Sequence, residues 1–307
     1  MTTALLLAGV VLGILGAIVR VRAWHAALTE TAPSVRYRDV VVAHLGGAGL
    51  NGIVPAHGGD AVKLALVKRR VPDARFGQLL GSLAPPAAVE VLCTALLLAW
   101  ALATGLLAAP LGVPIPLPLV GAAAAAAAGA LWLLARKAPR LLRDVRAGMV
   151  ALRQPGHLAR RIAPWVLAGR LIRLAAIACF MAAVGLPVTV AGLLVVMAIQ
   201  GSVGSSGPAS AAVRIAVLSA TLPAAIGHSV SLQTATELVA VGQLAPMIAN
   251  LALSVVVLAI LLRTTSPRKV FVYCRHTMAA KRAVAPPEGL KPALAGVQLG
   301  NLDSNQD

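Results

Sequence analysis

The stretch Asn51-Gly-Ile-Val-Pro-Ala-His-Gly-Gly-Asp60, followed by Lys63, decides the reading of this chain. It lies in an apolar run between Val40 and Leu66, where a membrane protein ordinarily places an unbroken helix. Here Gly52, Pro55, Gly58 and Gly59 interrupt the run, and His57, Asp60 and Lys63 add polar groups within seven residues. Unwound backbone and charge at membrane depth are tolerated only against protein or a wet cavity. The rest of the sequence reads as a frame that holds this break and a second one near Gly201–Ser210.

Composition places the frame in a bilayer. Apolar residues make up 59% of the 307, charged residues 12%, and mean hydropathy is +0.85. A soluble domain would be about a quarter charged. Several runs reach the ~20 residues that a spanning helix needs. Aromatic residues are only 3%, which argues against a barrel with aromatic girdles. The expected fold class is therefore all-α, a polytopic transmembrane helical bundle.

The net charge of +17 would suggest nucleic acid in a soluble protein. Its distribution argues for topology instead. Of 27 Lys and Arg, 24 fall in patches at 20–38, 63–75, 136–161 and 263–291. Basic loops stay in the cytoplasm, and weak attraction to anionic headgroups follows. No nucleic-acid partner is expected. The three cysteines, Cys93, Cys179 and Cys274, have no disulfide or metal spacing. Arg20 and Arg22 follow the first apolar run, so it reads as a first helix with its N-terminus outside, not a cleaved signal.

Charge parity then orders the segments. A first span covers 3–19, and the cytoplasmic loop 20–38 follows. The broken segment 40–62 is basic on both flanks, so it enters and returns from the cytoplasmic side as a re-entrant hairpin. A second span covers 76–107, its start delayed by Pro85-Pro86. The uncharged linker 108–118 lies outside. An Ala-rich span follows at 118–135, then a basic loop, with Arg136, Arg140, Arg143 and Arg146 on an amphipathic surface helix. Residues 162–184 return outward. The run 190–222 is broken at Gln200–Ser210 and uncharged beyond, so it forms an outer re-entrant hairpin. The last span is 236–262. Trp24, Trp132 and Trp165 fall where interfacial anchors belong.

The sum is five spans and two re-entrant, broken hairpins, with weak inverted symmetry between halves at about 1–108 and 162–263. Matching breaks in inverted halves point to a transporter's central site. Residues 1–265 are expected to form one integral membrane domain. Residues 266–307 are expected to be a basic, then polar, partly disordered cytoplasmic tail.

Candidate chemistry clusters at the breaks. Asp60 and Lys63 share a helix face if a helix starts near Gly58, with Asp60 in the favourable first turn. They close the tip as a structural pair or, with His57, face an anionic headgroup; both readings stand. Arg170 lies nine residues past Arg161, ~13 Å deep along a helix. A buried Arg there costs roughly 3 kcal/mol on insertion scales, so Arg170 and Arg173 should face the interior. They form ion pairs with Glu90 or Glu237, or a phosphate clamp that uses the planar guanidinium fork. Gly201, Gly204 and Gly207 permit close packing of small residues. Alternatively, Gly204, Ser205 and Ser206 with Arg214 form an anion site at a helix N-terminus. The two tips are expected to meet near mid-membrane. No nucleophile–base set, phosphate loop or metal motif is visible, so neither an enzyme nor a cofactor is expected.

The pattern Asn51…Pro55-Ala56-His57-Gly58-Gly59-Asp60…Lys63 resembles the lysylphosphatidylglycerol synthase transmembrane-region family, the flippase-like integral membrane proteins. The family pattern is Asn, Pro, Ala, Arg, small, Gly, Glu and a further Arg. His57, Asp60 and Lys63 stand at its Arg, Glu and Arg. The Gly-rich turn at Gly201–Pro208 is similar to the family's second motif, without the acidic residue that follows it there. The resemblance covers most of 1–265. It implies a plasma (inner) membrane protein, C-terminus cytoplasmic, that moves a lipid with an anionic or phosphate-linked headgroup. It also implies a substrate site around Asn51, Pro55, His57, Gly59, Asp60 and Lys63. The tail after the last span is too short for a soluble aminoacyl-transfer domain, so synthase activity is not expected. The rival readings are a membrane accessory subunit of a glycosyltransferase or lipid-modifying enzyme, and an enzyme acting on a lipid phosphate.

Overall fold

The computed structural model describes residues 2–52, 58–104, 139–202 and 208–261. Pro55, His57, Gly204, Ser205, Ser206, the expected span at 118–135, Trp132 and the tail lie outside the described residues. Within them the chain is helical, with no strand. The helices are α1 (Thr2–Thr29), α2 (Tyr37–Ala48), α3 (Gly58–Arg70), α4 (Phe76–Gly81) and α5 (Ala84–Ala103), then α6 (Pro139–Gly148), α7 (Ala163–Ala183), α8 (Val190–Ser202), α9 (Pro208–Ile226) and α10 (Leu232–Leu261). A 3-10 turn, Gly49–Gly52, follows α2, and a π-helical turn, Leu158–Ile162, leads into α7. Four stretches are long and apolar enough to cross a membrane: Thr2–Thr29, Phe76–Ala101, Pro155–Ala183 and Leu232–Leu261. This is an integral membrane protein by that measure, and Val91, Leu96, Leu171 and Ile260 offer it a lipid-facing apolar surface.

The frame is built on α1 and α7, which share the most extensive packing in the molecule. They are antiparallel: Gly9 meets Phe180 and Gly16 meets the backbone of Gly169. A methyl on Gly169 would lie 2.2 Å from Arg20 Cγ and 3.0 Å from Gly16 O, so the crossing needs a bare backbone there. Apart from Ala23 and Ala27, which pack with Val89, Ile162 and Val166, the core residues of α1 and α10 fall into two clusters. The C-terminal halves of both helices pack with α2, α3 and α4 around Trp24, Leu28, Leu64 and Leu258. Their N-terminal halves pack with α8, α9 and the end of α7 around Met181, Val196 and Leu222. Thus α1 and α10 run the same way, and the two interrupted helix pairs belong to opposite ends of the bundle.

One boundary and one residue placement differ from the sequence reading. The first helix does not stop at residue 19 but runs to Thr29, because Val21, Trp24 and Leu28 supply a buried face that carries it past the basic residues. Arg20 and Arg22 are thus helical, not loop residues. Trp24 is no interfacial anchor: it is 4% exposed, and its Nε1–H donates to Ser82 Oγ at 3.1 Å. Trp165 is exposed, and the Arg22 guanidinium lies 5.5 Å from its ring. The short helix α6 packs on α4 at Gly81 and Gly148, and Asp144 accepts from Arg75 at 3.0 Å.

Candidate functional site

The first break has an identifiable cause. In an unbroken helix the Gly49 N–H would donate to the Leu45 carbonyl. Instead the hydroxyl of Ser254, from α10, lies between them. It accepts from Gly49 N at 2.8 Å and donates to Leu45 O at 2.6 Å. Insertion of a side chain into the helical ladder is a known cause of a break, and Ser254 itself is fully buried. The turn Gly49–Gly52, which contains Asn51, then lies against α10. A Cβ on Gly49 would sit 2.4 Å from both Asn250 O and Leu251 Cα. A Cβ on Gly47 would meet Gly59 O at 2.4 Å, so α2 and α3 close on each other through two glycines.

Asp60 falls in the first turn of α3, as its spacing predicts. Lys63 Nζ donates to Asp60 Oδ1 at 2.8 Å, and Lys63 is 8% exposed. The half-buried His44 of α2 lies within electrostatic reach of this pair and of Arg20. A second polar group includes Arg20.

That second group lines a cavity of about 360 Å³ between α1, α5 and α7. Arg20 donates to Glu90 Oε1 at 2.9 Å. Arg170 donates to the Glu90 carbonyl at 2.5 Å and to Thr94 Oγ1 at 2.6 Å. Arg173 lines the same cavity and donates to Gln200 Oε1 of α8 at 3.1 Å. Arg170, half-buried, and Arg173, exposed, thus both line the cavity and have polar partners. The partners differ from those named from sequence. The Glu90 carboxylate goes to Arg20, Arg170 takes the Glu90 backbone, and Glu237 bonds Gln233 at 3.0 Å. The sum of three guanidiniums and one carboxylate, +3 and −1, is +2 around the cavity.

Arg214 of α9 is buried at 8% exposure and lies within electrostatic reach of Arg173. The contacts form two groups: Asp60 with Lys63 in the inner pair, and Arg20, Glu90, Thr94, Arg170, Arg173 and Gln200 at the cavity. The cavity itself is lined by Arg170 and Arg173 but, among the described residues, not by Asp60, Lys63 or Arg214. Gly59 is buried beside Gly47 in the inner pair. Arg20, Thr94, Gln200 and Ser254 were not legible as site residues. Arg20 was absorbed into a basic loop, and single Thr, Gln and Ser residues in apolar helices carry no local signature. No family model matches the chain, and neither a curated protein nor a solved structure matches it.

Proposed function

We propose that the chain is a lipid flippase or lipid transporter whose cargo carries an anionic or phosphate-linked headgroup. The observation that carries the reading is the cavity at Arg20, Glu90, Arg170 and Arg173. Three guanidiniums are held between apolar helices at a net charge of +2. Arginine at such depth is costly and marks a substrate pathway more often than a packing feature. Its planar fork suits phosphate oxygens. The resemblance at Asn51–Lys63 to the lysylphosphatidylglycerol synthase transmembrane region points to the same class of lipid. We assign the chain no enzymatic step.

In this reading α2–α3 and α8–α9 are re-entrant hairpins that enter from the cytoplasmic and outer sides in two inverted halves. The protein sits in the plasma membrane with its N-terminus outside and its C-terminus in the cytoplasm. Support comes from the membership of the two pairs in opposite core clusters and from the basic residues at the end of α3. The headgroup would pass through the cavity at Arg20, Arg170 and Arg173 while the acyl chains stay in the bilayer. A proteoliposome assay with tail-labelled phosphatidylglycerol tests the proposal. Translocation should exceed that of protein-free vesicles and fall by about tenfold or more in Arg170→Gln and Arg173→Gln, each a loss of about 1.4 kcal/mol. No translocation by folded wild-type protein would overturn it and favour an accessory subunit.

A further inference from the structure

A larger cavity lies at the other end of α2, away from the breaks. It measures about 590 Å³ and opens between the start of α2, the end of α3 and the end of α10. Arg36, Arg38, Arg69 and Arg70 line it, with Asp39 as the one carboxylate. The sum is +4 and −1, or +3. Asp39 Oδ1 is 3.6 Å from Arg70 Nε. Asp39 is also in the first turn of α2, where the helix N-terminus takes up part of its charge. Arg36, Arg38 and Arg69 form no side-chain hydrogen bond or ion pair with another described residue. The floor is apolar, made by Val42, Leu66 and Leu261.

We propose that this cavity is a binding site for a phosphate group attached to an apolar body, distinct from the central cavity. The basic patches at 20–38 and 63–75 account for arginines in these parts of the sequence. They do not explain why four converge on one concavity and three of them have no partner among the described residues, while Glu30 and Asp144 are each paired elsewhere. Like charges gathered around one hollow repel, and a phosphate dianion relieves that repulsion. Guanidiniums bind phosphate by paired, charge-assisted hydrogen bonds. The volume falls in the ordinary range of small-molecule sites, about 300–1,000 Å³. The apolar floor at the end of α10 suits the first part of an acyl or prenyl chain. Phosphate is the chemistry recognised; its source is a lipid headgroup or a soluble phosphorylated compound.

The test is calorimetric titration of the full chain in zwitterionic detergent, with three probes: dihexanoyl phosphatidic acid, dihexanoyl phosphatidylcholine and inorganic pyrophosphate. The expected result is that phosphatidic acid binds about tenfold or more tightly than phosphatidylcholine. Arg36→Gln/Arg69→Gln should abolish that preference, while Arg173→Gln in the central cavity should retain it. Both changed residues are exposed and unpaired, so the variant should fold; Arg36→Lys/Arg69→Lys should restore part of the binding and exclude misfolding as the cause. Pyrophosphate bound as well as phosphatidic acid assigns the site to soluble phosphates, and pyrophosphate bound weakly assigns it to a lipid. Phosphatidylcholine bound as tightly as phosphatidic acid would overturn the proposal. So would a Gln/Gln variant that binds like wild type. Because the site is separate from the translocation cavity, this result stands whether or not the protein moves lipid.

Discussion

Replacing Ser254 tests how the inner break is held. Ser254→Ala removes two buried hydrogen bonds, the one accepted from Gly49 N at 2.8 Å and the one donated to Leu45 O at 2.6 Å. Such bonds contribute about 0.5–1.5 kcal/mol each in water-soluble proteins and average about 0.6 between membrane helices. The two losses sum to about 1–3 kcal/mol. They have an unusual remedy. Gly49 N–H and Leu45 C=O are the pair that an unbroken helix would join, so the alanine variant can form that bond directly and recover about 1 kcal/mol. The net expected loss is about 0–2 kcal/mol, a factor of up to roughly 30 in the folded ratio. Ser254→Val cannot recover in this way, because its second methyl fills the gap that the helix must close. It should lose about 1–2 kcal/mol more than Ala. Reversible unfolding in mixed detergent, followed by Trp fluorescence, reads both. Labelling of a cysteine placed at Asn51 reports whether the turn has straightened. If Ser254→Ala and Ser254→Val are equally stable and leave Asn51 labelling unchanged, Ser254 does not hold the break.

Gly49→Ala should be worse than either serine variant, with a loss of about 3 kcal/mol or more in the same assay, because its methyl meets backbone atoms of α10 at 2.4 Å and backbone cannot rotate aside. Gly169→Leu should force α1 and α7 apart and displace Arg20 from Glu90, at a cost of about 1–3 kcal/mol; Gly16→Ala, whose methyl would sit 3.2 Å from Gly169 O, should cost less. A double-mutant cycle on Arg20→Ala and Glu90→Ala should give a coupling of about 0.5–1 kcal/mol, since the pair is about one third exposed; additive losses would show that the two side chains do not interact in the membrane. Trp24→Phe should lose about 1–2 kcal/mol by leaving Ser82 Oγ without the indole donor, and a surface anchor in its place would lose much less.

The legible parts of this protein are those in which one residue type breaks a strong local rule. Glycine and proline in an apolar run announce a first break at Gly52–Gly59, of which 53–57 lie outside the described residues; just before it α2 gives way to the 3-10 turn Gly49–Gly52. Asp60 and Lys63 announce their pairing by a three-residue spacing that only a helix converts into contact. Arg170 and Arg173 announce polar surroundings because of their cost in lipid; both line the cavity, with Arg170 half-buried and Arg173 exposed. What escaped the sequence was contact made across elements. Arg20 looks like the first residue of a basic loop, since charge counting cannot tell a loop from a helix whose other face stays apolar. The buried stripe of Val21, Trp24 and Leu28 is what carries α1 onward and brings Arg20 to Glu90. Ser254 looks like a tolerated hydroxyl in Leu-Ala-Leu-Ser-Val-Val-Val. Its meaning exists only once α10 lies on α2, 205 residues away from Gly49. The same dependence explains the cavity. Each of its charged residues belongs to a different sequence patch or to none, and the antiparallel crossing of α1 and α7 at Gly16 and Gly169 sets how Arg20 and Arg170 reach Glu90, one at its carboxylate and the other at its backbone carbonyl. A glycine pair without chemistry of its own thus fixes the geometry of the polar site, and the Gly169→Leu variant should disturb the site before it unfolds the bundle.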